Sequence, residues 1–84
     1  MQEFDKRLKE LPTGSFYAYY NSKKYLVTKE LYSNGKIIKL FARELGGVDI
    51  VSGNYFTPIK GGLLKPCEMS DKKVINFVLN LELR

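Results

Sequence analysis

The chain of 84 residues contains no histidine and a single cysteine, Cys67. Without histidine, a Ser-His-Asp triad, a histidine general base and a His/Cys zinc site are all excluded. A lone cysteine excludes an internal disulfide and a cysteine-rich metal site. The carboxylates form no cluster typical of an Asp/Glu metal site, so we expect neither a metal nor another cofactor.

The sequence also lacks a long apolar run. A membrane-spanning helix needs about 20 consecutive apolar residues, and no segment approaches that length. The first eleven residues, MQEFDKRLKEL, are charged and do not resemble a signal peptide. We therefore expect a soluble cytoplasmic protein with no membrane association. Its length predicts one domain, residues 1–84, with a thin core.

Two amphipathic helices are predicted, one at each end of the chain. In residues 2–11, apolar side chains recur at helical spacing: Phe4, Leu8 and Leu11. This helix is marginal alone in water, so its apolar side must pack on another element. The second helix begins after Ser70, a good N-cap. Its apolar stripe has the i, i+3, i+4, i+7 pattern at Val74, Phe77, Val78 and Leu81.

Four segments between the helices have the composition and alternation of β-strands: residues 15–21, 24–32, 36–44 and 49–56. Turn signals separate them at Ser22-Lys23, Ser33-Asn34-Gly35 and Gly46-Gly47. Because the connections are short, consecutive strands should pair as an antiparallel meander. Leu63 and Leu64 allow a short fifth edge strand, ended by Pro66. The predicted fold class is α+β, with both helices packed on one face of the sheet.

Alternation within the strands predicts which side chains share a face of the sheet. Tyr25, Val27 and Leu31 share one face of the second strand. On the third strand, one face is apolar, while the other carries both apolar and basic side chains. We expect a core that includes Ile38, Leu40, Val74, Phe77, Val78 and Leu81.

Cys67 is the only thiol of the chain and therefore the only candidate for a cysteine nucleophile. It lies shortly before the second helix, with Lys65 close by, and these surroundings can lower the pKa of a thiol. The catalytic interpretation is a redox cysteine with Glu68 as the nearest carboxylate. The structural interpretation is a small residue buried under the start of the helix, which we favour because free cysteine is among the most buried residue types.

A second candidate site lies on the central strands. Lys39, Phe41 and Arg43 share the face of the third strand that is not predicted to be core. Ser52 and Asn54 alternate onto one face of the fourth strand, where a purely structural sheet would more often place apolar groups. These five residues could bind a ligand, although a structural use of the two polar residues is the alternative.

Basic and aromatic residues also interleave along the strands, and the net charge is +5. Such a pattern suits nucleic acid, because aromatic rings stack on bases and cations reach phosphates. The residues concerned are Tyr17, Tyr19, Tyr20, Tyr25, Lys29, Lys39, Phe41, Arg43 and Tyr55. The cations that would carry binding are Lys39, Arg43, Lys72 and Lys73. The alternative is that the aromatic residues fill the core and the charge serves solubility.

About half of the chain resembles a family of small uncharacterised bacterial proteins. The segments that carry the resemblance are KKYLVTKE (23–30), KLFARELGGVDIVSGNYF (39–56) and LLKPCEMSDKKVINFV (63–78). Some proteins of this kind carry the label of peptide methionine sulfoxide reductase. The resemblance would imply that Cys67 is the nucleophile and Glu68 its acid.

Three functions are therefore compatible with the sequence. The first, which we favour, is a small binding or interaction module whose partner is a protein or a small polar ligand. The second is a cysteine-dependent redox enzyme that uses Cys67, so enzymatic activity is left open. The third is a nucleic-acid-binding domain that uses a basic and aromatic sheet face.

Overall fold

The computed structural model describes residues 2–84 as two helices and one five-stranded antiparallel sheet. The strands lie side by side in chain order, and the predicted α+β fold is confirmed, including the short fifth strand. Neither helix within residues 2–84 has the length and apolar character that crossing a membrane requires. The elements are α1 (Gln2–Glu10), β1 (Gly14–Tyr20), β2 (Lys23–Tyr32), β3 (Ile37–Glu44), β4 (Ile50–Phe56), β5 (Leu63–Pro66) and α2 (Asp71–Asn80).

The first hairpin turn lies one residue earlier than predicted. Asn21 and Ser22 form it, with φ angles of 52° and 63°, and β2 begins at Lys23. Two successive positive φ angles are typical of the type I′ turn, whose twist matches that of the flanking strands. Asparagine adopts a positive φ more readily than lysine does, and this favours a turn at Asn21-Ser22 over one that includes Lys23.

Both helices pack on the same face of the sheet. The Phe4 ring of α1 meets Tyr55 of β4 edge-to-face, with centroids 5.2 Å apart. The Phe77 ring of α2 meets Tyr25 of β2 at 5.1 Å in the same geometry. All six residues predicted for the core are buried. The full set of buried apolar residues is Phe4, Leu8, Leu11, Ala18, Tyr25, Val27, Ile38, Leu40, Ala42, Val51, Tyr55, Leu64, Val74, Phe77, Val78 and Leu81.

Leu31 shares the helix-side face of β2 with Tyr25 and Val27, as predicted, but unlike them it is exposed, at 47%. Strand β1 pairs only with residues 23–29 of β2. Leu31 therefore lies beyond the end of β1, where β2 has a neighbour on one side only. Between Val27 and Leu31, the same face of β2 carries a lysine, Lys29, which is buried.

Cations satisfy the carbonyl groups at the C-terminal ends of both helices. The Nζ of Lys29 donates to the carbonyl oxygens of Lys9 at 3.0 Å and Leu11 at 2.7 Å, at the end of α1. The guanidinium of Arg7 donates to the carbonyl oxygens of Val78 at 3.3 Å and Leu81 at 2.7 Å, at the end of α2. A positive charge is favourable there because the helix dipole is negative at its C-terminus. Burial lowers the pKa of Lys29.

Two buried tyrosines connect the sheet to the helices through carboxylates. The Tyr55 hydroxyl donates to Asp5 of α1 at 2.7 Å, and the Tyr25 hydroxyl donates to Asp49 at 2.7 Å. Each carboxylate also accepts from a helix lysine, Asp5 from Lys9 at 2.9 Å and Asp49 from Lys73 at 2.7 Å. The lysine contacts are the main reason that the pKa of both carboxyls is lowered.

The Tyr55 contact makes the stability of the fold sensitive to alkaline pH. Burial, with the Asp5 hydrogen bond, raises the pKa of Tyr55 from 10.0 to about 12. In the unfolded chain, tyrosine loses its proton near pH 10. Between about pH 10 and 12 the unfolded state therefore binds fewer protons than the folded state, and stability falls as pH rises. Burial raises the pKa of Tyr25 as well, which adds to this loss.

We expect Tyr55→Phe to be less stable than the wild type by about 1 kcal/mol at pH 7, because one hydrogen bond is lost. This difference should shrink between pH 10 and 12, because the variant lacks the titrating hydroxyl at this position. Urea unfolding at a series of pH values measures it. A difference that stays constant above pH 10 would show that the Tyr55 hydroxyl does not titrate differently in the folded state.

Candidate functional site

The sheet face opposite the helices, here called the outer face, carries a mixture of aromatic, aliphatic and basic side chains. It is formed by alternate residues of each strand, because successive side chains of a strand point to opposite faces. The strand register assigns to it Ser15, Tyr17, Tyr19, Lys24, Leu26, Thr28, Glu30, Tyr32, Ile37, Lys39, Phe41, Arg43, Ile50, Ser52, Asn54, Phe56, Leu63 and Lys65.

The structure brings all five predicted ligand-binding residues together on the outer face. Phe41 lies directly opposite Ser52, and Lys39 directly opposite Asn54. Opposite residues of an antiparallel pair have Cβ atoms about 4.5–5.5 Å apart. Arg43 is the next outer-face residue of β3 beyond Phe41. The candidate site is therefore one continuous area in the middle of the sheet.

Within this area, the Phe41 ring rather than the Ser52 hydroxyl meets solvent. Phe41 is 41% exposed and Ser52 only 8%. The N–H of Ser52 donates to the Sδ of Met69 at 3.4 Å, and its carbonyl accepts from the N–H of Cys67 at 3.1 Å. Both groups point away from β3, so Phe41 and Ser52 form a non-hydrogen-bonded pair, in which the side chains stand closest. Asn54, which is half-buried, is the more accessible polar group.

The exposed cations of the outer face are Lys24, Lys39, Arg43 and Lys65. Within residues 2–84, none of them forms an ion pair. The Nζ of Lys24 lies over the Tyr17 ring, 4.5 Å from its centroid. The only carboxylate among the outer-face strand residues, Glu30, accepts a hydrogen bond from Tyr32 at 3.2 Å. The outer face is therefore positively charged.

The interleaved basic and aromatic residues of the sequence separate into two groups in the structure. Tyr20, Tyr25, Lys29 and Tyr55 face the helices and serve the core. Tyr17, Tyr19, Lys39, Phe41 and Arg43 lie on the outer face. Sequence reasoning missed Lys24 and Lys65 as members of this surface. Strand alternation combined with the register of the first hairpin could have found Lys24.

A close approach of β5 places Lys65 on this surface. Gly53 of β4 lies opposite Pro66 of β5. A Cβ atom on Gly53 would lie 3.1 Å from the Cα of Pro66 and 3.2 Å from the carbonyl oxygen of Lys65. Glycine therefore lets β5 pair closely with β4, and Lys65 then lies directly opposite Asn54. Gly53 forms no bulge, because it keeps a regular register with Leu40.

Cys67 is exposed, so the prediction that it is buried under the helix is wrong. Leu64 is buried, and strand alternation directs Cys67 away from the core side. Glu68 follows with a positive φ of 58° and is also exposed. The chain offers no histidine and no second cysteine beside this thiol.

The two basic residues at the start of α2 do not join the outer face. The Nζ of Lys73 forms an ion pair with Asp49 at 2.7 Å, and Lys72 lies beside it on the helix. Because α2 packs on the opposite face of the sheet, Lys39 and Arg43 are separated from both by the thickness of the sheet. Asp49 itself is engaged with Lys73 and Tyr25.

No family model, curated protein or solved structure matches the chain. Within residues 2–84, no group of three or more Cys, Asp or Glu side chains is arranged to hold a metal ion. The packing of the fold does not account for the exposed rings and unpaired cations of the outer face. Exposed apolar patches rimmed by polar residues often mark interaction sites.

Proposed function

We propose that the protein is a small binding module that holds an extended anionic partner across its outer face. The observation that carries the proposal is the presence of exposed, unpaired cations on the one sheet face that no helix covers. Anionic groups of a partner would gain attraction there without first breaking an ion pair.

The cations surround Phe41 at spacings that suit an extended chain. Lys39 and Arg43 lie two residues before and after Phe41 on β3, which places each about 7 Å from it along the strand. Lys65 lies two strands away from Lys39, on the other side of Asn54, at about 10 Å. A partner that crosses the sheet can therefore place successive anionic groups near different cations.

The helix side of the molecule uses its cations differently. Lys9 and Lys73 pair with carboxylates, and Arg7 and Lys29 cap helix ends. These charges hold the fold together and are less available to a partner. Lys6 and Lys72 of the helices are also exposed and form no ion pair in the part of the chain that the structure describes, so it is the grouping of cations with exposed rings on one surface that favours the outer face.

Charge reversal on the outer face tests this proposal. With heparin as the probe, we expect Lys39→Glu/Arg43→Glu to weaken binding by more than about tenfold, since each reversal replaces attraction by repulsion. Wild-type affinity should fall steeply as salt rises. Isothermal titration calorimetry at several salt concentrations measures both effects.

The matched control is Lys6→Glu/Lys72→Glu, which changes the net charge equally but on exposed residues of the helices. We expect this variant to retain most of the wild-type affinity. Equal losses in the two double variants would show that net charge alone attracts heparin. Absence of wild-type binding at low salt would refute the proposal.

A further inference from the structure

We infer that the anionic partner is single-stranded nucleic acid, with bases stacked on Phe41 and Tyr17 of the outer face. This inference rests on the proposed function and names its ligand class. Phe41 lies on the central strand of the sheet and is 41% exposed, and Tyr17 of β1 is 55% exposed. Every base has a π-face, so exposed rings between cations bind single strands with little dependence on sequence.

The position of the charges separates nucleic acid from an acidic protein. The core of a protein–protein interface is depleted of charged residues, lysine in particular. Here the centre of the outer face carries Lys39 and Arg43 on either side of Phe41, and Lys65 two strands away. Charged groups beside a ring at the centre of a surface suit a ligand that alternates phosphates with planar bases.

The shape of the surface separates single strands from duplexes. A sheet face is broad and open, and it presents side chains two residues apart along each strand. Rings on such a surface can reach the faces of bases only where the bases are unstacked. Asn54 and Thr28, beside Lys39 and Phe41, add an amide and a hydroxyl within reach of base edges.

The contact between Lys24 and Tyr17 fits the same ligand. The ammonium of Lys24 lies 4.5 Å from the centroid of the Tyr17 ring. A base that stacks on Tyr17 takes the place of the ammonium, which is then available to an adjacent phosphate. Tyr17 and Phe41 lie on β1 and β3, so a strand that contacts both crosses β2 near Leu26 and Thr28.

Fluorescence anisotropy with a labelled ten-nucleotide oligouridine or oligothymidine tests the inference. We expect the single strand to bind at least tenfold more tightly than a duplex of the same length. With four phosphate contacts, the logarithm of affinity should fall with that of salt at a slope of about −3. Phe41→Leu keeps an apolar side chain but removes the ring, and should weaken binding roughly 5- to 150-fold, the range for one stacked base.

The matched control is Leu79→Ala on α2, because Leu79 is 38% exposed but lies on the helix side. It should not change the affinity for the oligonucleotide. Tyr17→Leu provides a second variant with the same expected direction as Phe41→Leu. Unfolding curves for each variant establish that it is folded at the assay temperature.

Each failure points to a different step. Equal binding of duplex and single strand, or no effect of either aromatic variant, overturns the stacking inference but leaves binding of a polyanion intact. Competition by polyglutamate as strong as that by an oligonucleotide of equal charge overturns nucleic acid as the ligand class. Absence of binding to both heparin and the oligonucleotide at low salt overturns the proposed function itself.

Discussion

Replacing Phe77 with alanine is expected to destabilise the protein by about 3–5 kcal/mol, the usual cost of truncating a buried aromatic residue. Phe77 is fully buried and meets the rings of both Tyr20 and Tyr25 edge-to-face, at 5.2 Å and 5.1 Å. Its removal leaves a cavity between α2 and the sheet. A domain of this size has a total stability of roughly 4–13 kcal/mol, so the loss could unfold it.

Urea unfolding followed by circular dichroism measures the effect of Phe77→Ala. The control is Leu79→Ala on the same helix, where a leucine that is 38% exposed should cost less than about 1 kcal/mol. Leucine and alanine both favour helices, so the comparison isolates packing. A Phe77→Ala variant with the urea midpoint of the wild type would contradict the docking of α2 on this face.

The second large effect is expected for Lys29→Met, which should destabilise the protein by about 2–3 kcal/mol. The variant keeps an apolar side chain but removes two hydrogen bonds, to the carbonyl oxygens of Lys9 and Leu11. A hydrogen bond to a charged group contributes about 1.5–3 kcal/mol. The variant also avoids the desolvation that lowers the pKa of Lys29, and this gain offsets part of the loss.

Lys39→Met is the matched control for this prediction. It makes the same chemical change on the neighbouring strand, but Lys39 is exposed and lies on the outer face. Its effect on stability should stay within about 0.5 kcal/mol. If Lys29→Met were as stable as Lys39→Met, the hydrogen bonds of Lys29 to the end of α1 would contribute no net stability.

Alternation and turn chemistry were sufficient to predict the architecture. The apolar stripe of α2 has the helical period, and the Ile38/Leu40/Ala42 face of β3 has the strand period. All of these residues are buried. The exposure of Leu31 could not be predicted, because strand periodicity assigns a face but does not reveal where a neighbouring strand ends. The burial of Lys29 could not be predicted either, because the sequence does not show that α1 ends above this residue.

The candidate site was predictable in part. Lys39, Phe41, Arg43, Ser52 and Asn54 could be grouped because they lie on consecutive strands with a short connection. Lys65 could not be added, because its place depends on the four-residue strand β5. Cys67 was placed on the wrong side because its distance from α2 in the sequence gave no information on the direction of the chain after Pro66.

The capping of both helices by cations from other elements makes the two ends of the chain interdependent. Lys29 of β2 holds the end of α1, and α1 in turn supplies Arg7 to the end of α2. Detachment of α1 therefore removes the hydrogen-bond donor, Arg7, from the carbonyl groups at the end of α2, more than 60 residues away in the chain. The helix layer should consequently open as one cooperative unit, while the sheet beneath it keeps its own hydrogen bonds.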